Sequence, residues 1–294
     1  MDFTCPNRDG TVTVGGCIYC NNASHTPRGY RPSMSVREQL EQGIEGVRRR
    51  YGAEKFIAYF QSYSNTYGPV GKLERLYRVA LDVPGVVGLS IATRPDCVGD
   101  DVLDLIADVS RTTYLWLEMG LESMHEKTLR WVNRGHGLGE FIDAVKRAKA
   151  RGLRVCAHLI LGFPCESRQE ILQTPALLNR LAIDGVKLHN LHVIKHTVLE
   201  ELYRSGAFAL LSRDAYVSLL VDFVELLSPE VVIHRLTGET YRELTVAPDW
   251  SLDKNATVNA IREEFVNRDT WQGKMISPER AGDSAPAPLV EVTL

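Results

Sequence analysis

The segment LRVCAHLILG, residues 153–162, is apolar over most of its length and ends at a glycine. A run of Leu, Ile, Val and Ala residues of this length is typical of a strand that is buried on both faces. Strands of that kind occur where helices cover both sides of a parallel sheet. The segment therefore indicates an α/β fold.

Four similar runs lie elsewhere in the chain, and the five runs start 27 to 40 residues apart. The other four are FIAYFQ from Phe56, VVGLSIA from Val86, TYLWLEM from Thr113 and VKLHNLHVI from Val186. Helical patterns separate them. Strands and helices that alternate at this period require parallel strands with right-handed crossovers, as in a doubly wound sheet or a β/α barrel.

The helices are indicated by apolar residues three and four positions apart. This spacing predicts helices over residues 36–50 and 73–81, and another that begins near Leu138. Ser167 and Glu170 have the spacing of a capping box, which predicts a further helix start directly after the fourth strand. Beyond about residue 228 the pattern changes to a short strand, VVIHRL, followed by a helix over about 252–267.

The composition is that of an ordinary globular protein. The 294 residues are 44% hydrophobic and 24% charged, with a formal net charge of -3. A negative net charge gives no broad attraction to nucleic acid or anionic lipid. No secretory signal precedes Cys5, and no apolar run approaches the roughly 18 residues needed to span a bilayer. We therefore expect a cytoplasmic protein with no membrane partner, whose six cysteines stay reduced.

Polar residues cluster where each predicted strand ends. They include Gln61, Ser62 and Asn65 after the first strand, Thr93, Arg94 and Asp96 after the second, Glu118 and Glu122 around the end of the third, His158 and Glu166 in and after the fourth, and His189 and His192 in the fifth. No G-x-G-x-x-G follows any strand, which argues against a dinucleotide-binding fold. In barrels the chemistry lies at the C-terminal mouth, so these residues predict one shared pocket.

Three cysteines, Cys5, Cys17 and Cys20, lie in a glycine-rich loop with the spacing C-x11-C-x2-C. Thiolates bind soft metals, and a C-x2-C pair can direct two sulfurs at one centre. One interpretation is a structural zinc ion whose fourth ligand is His25. The other is a cubane of four irons, in which three cysteines leave one iron open for chemistry.

The sequence resembles the radical S-adenosylmethionine (SAM) superfamily, and more closely its YhcC-like subgroup, which is related to the Elongator catalytic subunit. The resemblance rests on the stretches FTCPNRDGT, GGCIYC, YFQSYSNTYGP, IATRPDC, LEMGLES, VNRGHG, HLILGFP, KLHNLHVIKHT, HRLTGE and WSLDK, in this order. They extend from Phe3 to about residue 273.

The resemblance implies a partial (β/α)6 TIM-type barrel, the radical SAM core, with a small C-terminal α+β extension. It implies a [4Fe-4S] cluster on Cys5, Cys17 and Cys20 and SAM as second cofactor. The expected reaction is reductive cleavage of SAM to a 5'-deoxyadenosyl radical, which abstracts hydrogen from an unknown substrate: a small molecule, a protein or a tRNA. The electron donor would be a flavodoxin or ferredoxin. The alternative is an RNA-binding module stabilised by zinc on the three cysteines and His25.

The resemblance also assigns residues to SAM. Tyr19, which precedes the last cluster cysteine, would pack against adenine. Gln61 and Ser62 occupy the place of a glycine-glycine-glutamate turn that binds the methionine amino group. Resemblance to oxygen-independent coproporphyrinogen oxidase makes Glu122 a polar SAM contact and Arg134 the partner of the methionine carboxylate. On the same basis, His158 would contact the ribose and Gly162 would let the backbone approach adenine.

Domain limits follow from these patterns. We expect the barrel over residues 1–228, the extension packed on it over 229–274, and a disordered tail over 275–294. The superfamily barrel begins with a strand that leads into the cysteine loop, and only MDFT precedes Cys5, so we expect that first strand to be missing. Cys97 and Cys165 are expected to be structural. In a regular strand His189 and His192 face opposite ways, so at most one should line the pocket.

Overall fold

The computed structural model describes residues 3–31 and 33–276 of the chain. The predicted tail lies outside the described residues, apart from its first two positions. In this part of the chain the strands are β1 (Phe56–Phe60), β2 (Val86–Thr93), β3 (Tyr114–Glu122), β4 (Val155–Leu161), β5 (Gly185–Asn190), β6 (Val193–Ile194), β7 (Val232–Arg235) and β8 (Thr245–Ala247).

The α-helices of the same residues are α1 (Val36–Tyr51), α2 (Val70–Leu81), α3 (Asp100–Ser110), α4 (Glu126–Trp131), α5 (Leu138–Ala150), α6 (Arg168–Ile171), α7 (Thr174–Arg180), α8 (Val198–Arg204), α9 (Arg213–Glu225) and α10 (Lys254–Asn267). The capping box predicted at Ser167 and Glu170 is confirmed at the start of α6. The helix predicted from Leu138 is α5, and it buries Phe141, Val145 and Ala148 against the sheet.

Six strands form one parallel sheet in the order β1-β2-β3-β4-β5-β7. The predicted partial barrel is confirmed, because this sheet curls into a half-barrel with helices between consecutive strands. The strand predicted by LRVCAHLILG is β4, at the middle of the sheet, and its Val155, Ala157 and Leu159 are buried. β7 lies within the segment expected to form the extension, and it pairs with β5 as the last strand of the sheet.

The run VKLHNLHVI forms two strands rather than one. β5 ends at Asn190, and β6 then pairs antiparallel with β8 in a separate two-stranded sheet. The turn between them is fixed by Asn190, whose Oδ1 accepts hydrogen bonds from the Thr237 hydroxyl (2.9 Å) and the Gly238 N–H (3.2 Å). The segment after β7 is therefore held against the carboxyl end of β5.

Parallel strands bring all their carboxyl ends to one side of the sheet, and in this half-barrel that side is the mouth. The core beneath it is apolar and continuous, with Leu89 of β2, Leu117 of β3 and Leu188 of β5 fully buried. Among the described residues, no helix is both long enough and apolar enough to cross a membrane.

Candidate cofactor and substrate site

A cavity of about 270 Å³ opens at the mouth of the half-barrel. Each strand of the parallel sheet contributes to its lining, through Gln61 after β1, Arg94 after β2, Glu122 in β3, His158 in β4, His189 in β5 and Arg235 in β7. The three cysteines of the N-terminal loop line it as well. The single pocket predicted from the polar strand ends is therefore present.

Two asparagines, the buried Asn7 and the partly buried Asn133, hold the cysteine loop over the mouth. Asn7 is fully buried; its Oδ1 accepts a hydrogen bond from the Thr13 hydroxyl, and its backbone carbonyl accepts one from the Gly16 N–H at 2.7 Å. Asn133, in the turn after α4, donates from Nδ2 to the carbonyl of Gly16 at 2.9 Å. The loop is thus tied by hydrogen bonds both to itself and to the barrel, which orients its thiols before any ligand binds.

Backbone contacts complete this attachment. The Ile18 N–H donates to the carbonyl of Val132 at 3.0 Å, and the Leu199 N–H donates to the carbonyl of Ile18 at 2.9 Å. Gly135 has a φ of +77°, and a Cβ there would overlap the Asn7 amide oxygen. A glycine is needed at this position both for its left-handed backbone and for the close approach of the loop.

Cys17 receives two side-chain donors at its sulfur. Asn7 Nδ2 and Arg134 Nη1 each lie 3.6 Å from Cys17 Sγ. Arg8 Nη2 donates to the carbonyl of Cys20 at 2.8 Å, and burial raises the pKa of the Cys20 thiol. Donors directed at sulfur stabilise thiolate charge, and they are the contacts by which proteins tune iron–sulfur clusters.

The donor set fits a cluster better than a single ion. His25, the predicted fourth zinc ligand, has both ring nitrogens engaged, Nε2 with Asn22 Oδ1 (3.1 Å) and Nδ1 with the Ser24 hydroxyl (3.3 Å). Within residues 3–31 and 33–276, no group of three or more His, Cys, Asp or Glu side chains is close enough to hold one metal ion. A cubane of four irons spreads its cysteine ligands more widely than one zinc ion does.

Arg134 lies at the centre of the buried polar side of the cavity. Its Nε donates to His136 Nε2 at 2.8 Å, its Nη2 donates to the carbonyl of Gly120 at 2.9 Å, and the Glu122 carboxylate lies 3.4 Å from Nη2. Burial, assisted by the Arg134 charge, lowers the pKa of His136 to about 2. His136 is therefore neutral and accepts from Arg134. Together with the contact to Cys17, these bonds leave one N–H of Nη1 for a ligand.

Glu122 has a backbone conformation that few residues of its type adopt. Its φ is +64°, and the register between β3 and β4 shifts at this point. Such strain persists only where surrounding contacts impose it, and it is common at binding sites. Here it places the carboxylate beside Arg134 on the cavity wall.

A buried ionic network lies beneath the cavity. Both oxygens of Glu118 accept from Lys187 Nζ, at 2.8 and 2.7 Å, and the side chains are 0% and 2% exposed. His158 Nε2 lies 2.6 Å from Glu118 Oε2, and the Ser90 hydroxyl also donates to Glu118. Because a carboxylate only accepts, Nε2 of His158 carries the proton in this contact and Nδ1 is left without a partner in the network. His158 and Lys187 hold the pKa of Glu118 below its usual value, against the opposing effect of burial.

Both His189 and His192 line the cavity, so the prediction that only one could do so is wrong. The prediction assumed a regular strand through both residues, whereas β5 ends at Asn190 and the alternation of side chains ends with it. Burial lowers the pKa of His192 to about 4 and that of His189 well below its usual value. Both imidazoles are neutral at pH 7.

Three buried hydroxyls on the cavity wall have no hydrogen-bond partner among the described residues. They belong to Tyr19, Ser64 and Thr240. Burial raises the pKa of Tyr19 well above its usual value, so this hydroxyl stays protonated. Unpaired buried hydroxyls are costly, and all three belong to residues that line this one cavity.

The structure gathers most of the residues assigned to SAM from the sequence. Tyr19, Gln61, Glu122, Arg134 and His158 line the same cavity as the three cysteines. Ser62 and Gly162 do not. The Ser62 hydroxyl instead contacts that of Thr26 at 3.3 Å, and Gly162 lies against Leu211, whose Cδ1 would be 2.8 Å from a Cβ at this glycine.

Sequence reasoning missed Asn7, Lys187 and Arg235 as parts of this site. A lysine inside the apolar run of β5 was the available signal for Lys187, because a lysine in a strand of that kind must find a buried counter-charge. Arg235 could have been found as the other polar residues at strand ends were, because it ends the short strand β7. Asn7 had no signal beyond its place between two of the cysteines.

The fold and the site together define a partial β/α barrel with a thiol-rich ligand site at its mouth. The Radical SAM superfamily model matches residues 8–178, and the Radical_SAM C-terminal domain model matches residues 183–267. The chain belongs to the radical SAM superfamily. Membership implies an enzyme.

The chain is similar to two proteins over most of its length. It is 39% identical to the uncharacterized protein YtqA of Bacillus subtilis over 272 residues, 92% of this chain and 84% of that protein. It is 38% identical to protein YhcC of Escherichia coli over 275 residues, 93% of this chain and 87% of that protein. The resemblance to the YhcC-like subgroup is thereby confirmed.

Among solved structures, the fold resembles the archaeal Elp3 of Methanocaldococcus infernus with an N-terminal deletion. The TM-score is 0.67 at 18% identity, and the match covers 81% of this chain and 59% of that one. At this identity the likeness concerns the fold alone.

Proposed function

We propose that this chain is a radical SAM enzyme. It binds a [4Fe-4S] cluster through Cys5, Cys17 and Cys20, binds SAM in the cavity at the barrel mouth, and abstracts hydrogen from a substrate held in the same cavity. When bound, the cluster supplies the electron that cleaves SAM to methionine and a 5'-deoxyadenosyl radical. The observation that carries the proposal is the convergence of three thiols and the carboxyl ends of six parallel strands on one cavity.

The role of the protein in this reaction is to position groups and exclude water. Asn7 and Arg134 direct donors at Cys17, which favours its thiolate form as a cluster ligand. The cysteine loop covers the mouth through its hydrogen bonds to the turn after α4. A flavodoxin or ferredoxin would deliver the electron.

The SAM contacts we propose are the assigned residues that line the cavity. The Tyr19 ring packs 6.3 Å from that of Phe163 and offers a face for adenine. His158 is fixed through Nε2 by Glu118, which leaves Nδ1 to hydrogen-bond a ribose hydroxyl. Gln61 and Glu122 are placed to meet the methionine amino group. Arg134 gives the methionine carboxylate one hydrogen bond rather than a two-pronged contact, because its other N–H groups are engaged.

The alternative, an RNA-binding module with a structural zinc, has less support. It required His25 as a fourth ligand, and the ring nitrogens of His25 are engaged elsewhere. The cavity also contains more polar groups than a closed zinc site needs.

A direct test is to purify and reconstitute the full chain without air. We expect a brown protein with about four irons and four sulfides per chain, which releases 5'-deoxyadenosine from SAM when dithionite is added. A colourless protein that holds one zinc ion tightly, and that leaves SAM intact, would contradict the proposal.

Replacing Gly120 by alanine should weaken SAM binding. A Cβ at Gly120 would overlap Arg134 Nη2 and would lie 2.5 Å from Glu122 Oε1, so the ends of both side chains must shift from their positions on the cavity wall. We expect the dissociation constant for SAM to rise about tenfold, which corresponds to about 1.4 kcal/mol. Equilibrium dialysis with labelled SAM measures it.

Gly139→Ala is the matched control, because a Cβ at Gly139 would meet no atom within 4 Å and the residue lies exposed in α5. This variant should bind SAM as the unaltered chain does. Equal SAM affinity of the Gly120 and Gly139 variants would show that Arg134 and Glu122 do not contact SAM.

A further inference from the structure

Arg235 is a cationic residue of the cavity with no part in the proposed binding of the cluster or of SAM. It ends β7, is half-buried and lines the cavity. Among the described residues it has no hydrogen-bond or ion-pair partner. The neighbouring arginines differ: Arg94 forms a two-pronged ion pair with Asp96, and Arg134 contacts His136, Cys17 and Gly120.

The surroundings of Arg235 hold few charges that could neutralise it. Its charge acts on three cavity histidines, His25, His189 and His192, and contributes after burial to the lowering of each pKa. All three imidazoles are therefore neutral at pH 7 and do not compete with Arg235 for an anion by carrying a charge of their own. Both carboxylates on the cavity wall lie beside other cations: Glu239 is 3.4 Å from Lys254, and Glu122 is 3.4 Å from Arg134.

The segment that follows Arg235 is rigid enough to form a site. Thr237 and Gly238 are bound to Asn190, and a Cβ at Gly238 would lie 2.7 Å from His192 Cε1, so this segment packs directly on the histidines. The Thr240 hydroxyl, also on the cavity wall, is buried without a partner. Arg235, His189, His192 and Thr240 thus line the same cavity, and the segment that carries Thr240 packs on the two histidines.

We propose that Arg235, with His189, His192 and Thr240 beside it, is an oxyanion subsite that binds a carboxylate or phosphate group of the substrate. A guanidinium binds such a group through two parallel N–H bonds, and its charge is compensated once the anion is present. The substrate class is then an anionic molecule or an anionic group on a larger one.

Arg235 ends β7, at one edge of the sheet, whereas the residues proposed for the amino-acid portion of SAM come after β1 (Gln61) and from β3 (Glu122). The charges of Arg8, Arg94 and Arg134 act on the cluster cysteines. The charge of Arg235 acts on Tyr59 of β1 as well as on the three histidines. The assignment of the anion to the substrate rests on the proposed function, whereas anion binding at Arg235 requires neither cluster nor SAM.

Arginine modification tests the proposal on the unaltered full chain. We expect phenylglyoxal to modify Arg235 about tenfold faster than the buried, paired Arg94 and Arg134, as measured by peptide mass spectrometry. Phosphate or acetate should slow the modification of Arg235 at least about threefold relative to chloride at equal ionic strength. The exposed Arg242, seven residues away and outside the cavity, should be unaffected.

Stronger protection by phosphate would indicate a phosphorylated substrate, and stronger protection by acetate would indicate a carboxylate. Protection by neither anion would overturn the subsite. On reconstituted protein, protection of Arg235 by SAM alone, with no further effect of either anion, would assign Arg235 to the SAM carboxylate and overturn the substrate assignment. The protection by phosphate or acetate is measured on protein without a cluster. A failure of the radical chemistry therefore leaves this protection unchanged, whereas a failure of the subsite abolishes it.

A second measurement uses variants. The phosphorus NMR line of inorganic phosphate should broaden on addition of the unaltered chain and of Arg242→Gln, and should not broaden with Arg235→Gln. Arg235→Lys keeps the charge without the planar fork, so it should retain part of the broadening. If folded Arg235→Gln broadens the line as much as the unaltered chain does, the proposal is contradicted.

Discussion

Replacing Cys17 by serine is expected to reduce the iron content of the reconstituted protein from about four per chain to below about one. Release of 5'-deoxyadenosine from SAM should fall by at least about a hundredfold. The physical reason is that serine is a poor ligand for the soft iron–sulfur core. Serine is nearly the same size as cysteine, and its oxygen can accept from Asn7 and Arg134 as the sulfur does. The loop should therefore keep its fold.

Cys165→Ala is the matched control for this experiment. Cys165 is half-buried, donates weakly to the Thr128 hydroxyl at 3.4 Å, and does not line the cavity. Iron content and SAM cleavage should match those of the unaltered chain. Circular dichroism separates loss of the cluster from loss of the fold. A Cys17→Ser variant that is folded and still holds four irons would remove Cys17 from the ligand set.

The strands of the barrel could be predicted because each is a local pattern. LRVCAHLILG reads as a buried strand from its own residues, and the period of the strands along the chain restricts the topology to parallel sheets. The split of VKLHNLHVI could not be predicted in this way. It depends on Thr237 and Gly238 reaching Asn190, and on β8 pairing with β6, which are contacts between distant residues.

In the candidate site, too, the features set by strand topology could be predicted and those set by contacts between distant residues could not. Strand ends identified the lining residues Gln61, Glu122 and His158, because topology alone brings strand ends together. The same reasoning included Ser62 and Gly162, whose orientation is decided by neighbours that the sequence does not reveal, Thr26 and Leu211. The pairing of Glu118 with Lys187, 69 residues apart, is likewise a tertiary contact.

Replacing Glu118 by glutamine should cause a large loss of stability. The change leaves the Lys187 ammonium, 2% exposed, without its counter-charge. Breaking a buried ion pair from one side costs about 3–5 kcal/mol, which is a large part of the stability of an ordinary domain. Urea unfolding of the full chain without cluster, followed by circular dichroism, measures the change in the free energy of unfolding.

Two comparisons separate charge from packing. Glu45→Gln, in an exposed pair with Arg49 on α1, should give no measurable change. The double variant Glu118→Leu, Lys187→Met removes both charges and should be more stable than Glu118→Gln, because no buried ion remains unpaired. A double variant that is as unstable as the single one would show that the network stabilises through its shape rather than through charge pairing.

The pH dependence of stability provides an independent signature of the same pair. Lys187 and His158 hold the pKa of Glu118 below that of an unfolded glutamate. A depressed carboxyl pKa contributes stability that is fully present above the unfolded value of about 4.3, and that is lost as the pH falls through the folded value. The unaltered chain should therefore lose stability steadily below about pH 4, and Glu118→Gln should lose less over the same range, because it has no carboxylate to protonate at this position. Parallel acid profiles of the two proteins would mean that Glu118 titrates normally and that Lys187 does not hold it ionised.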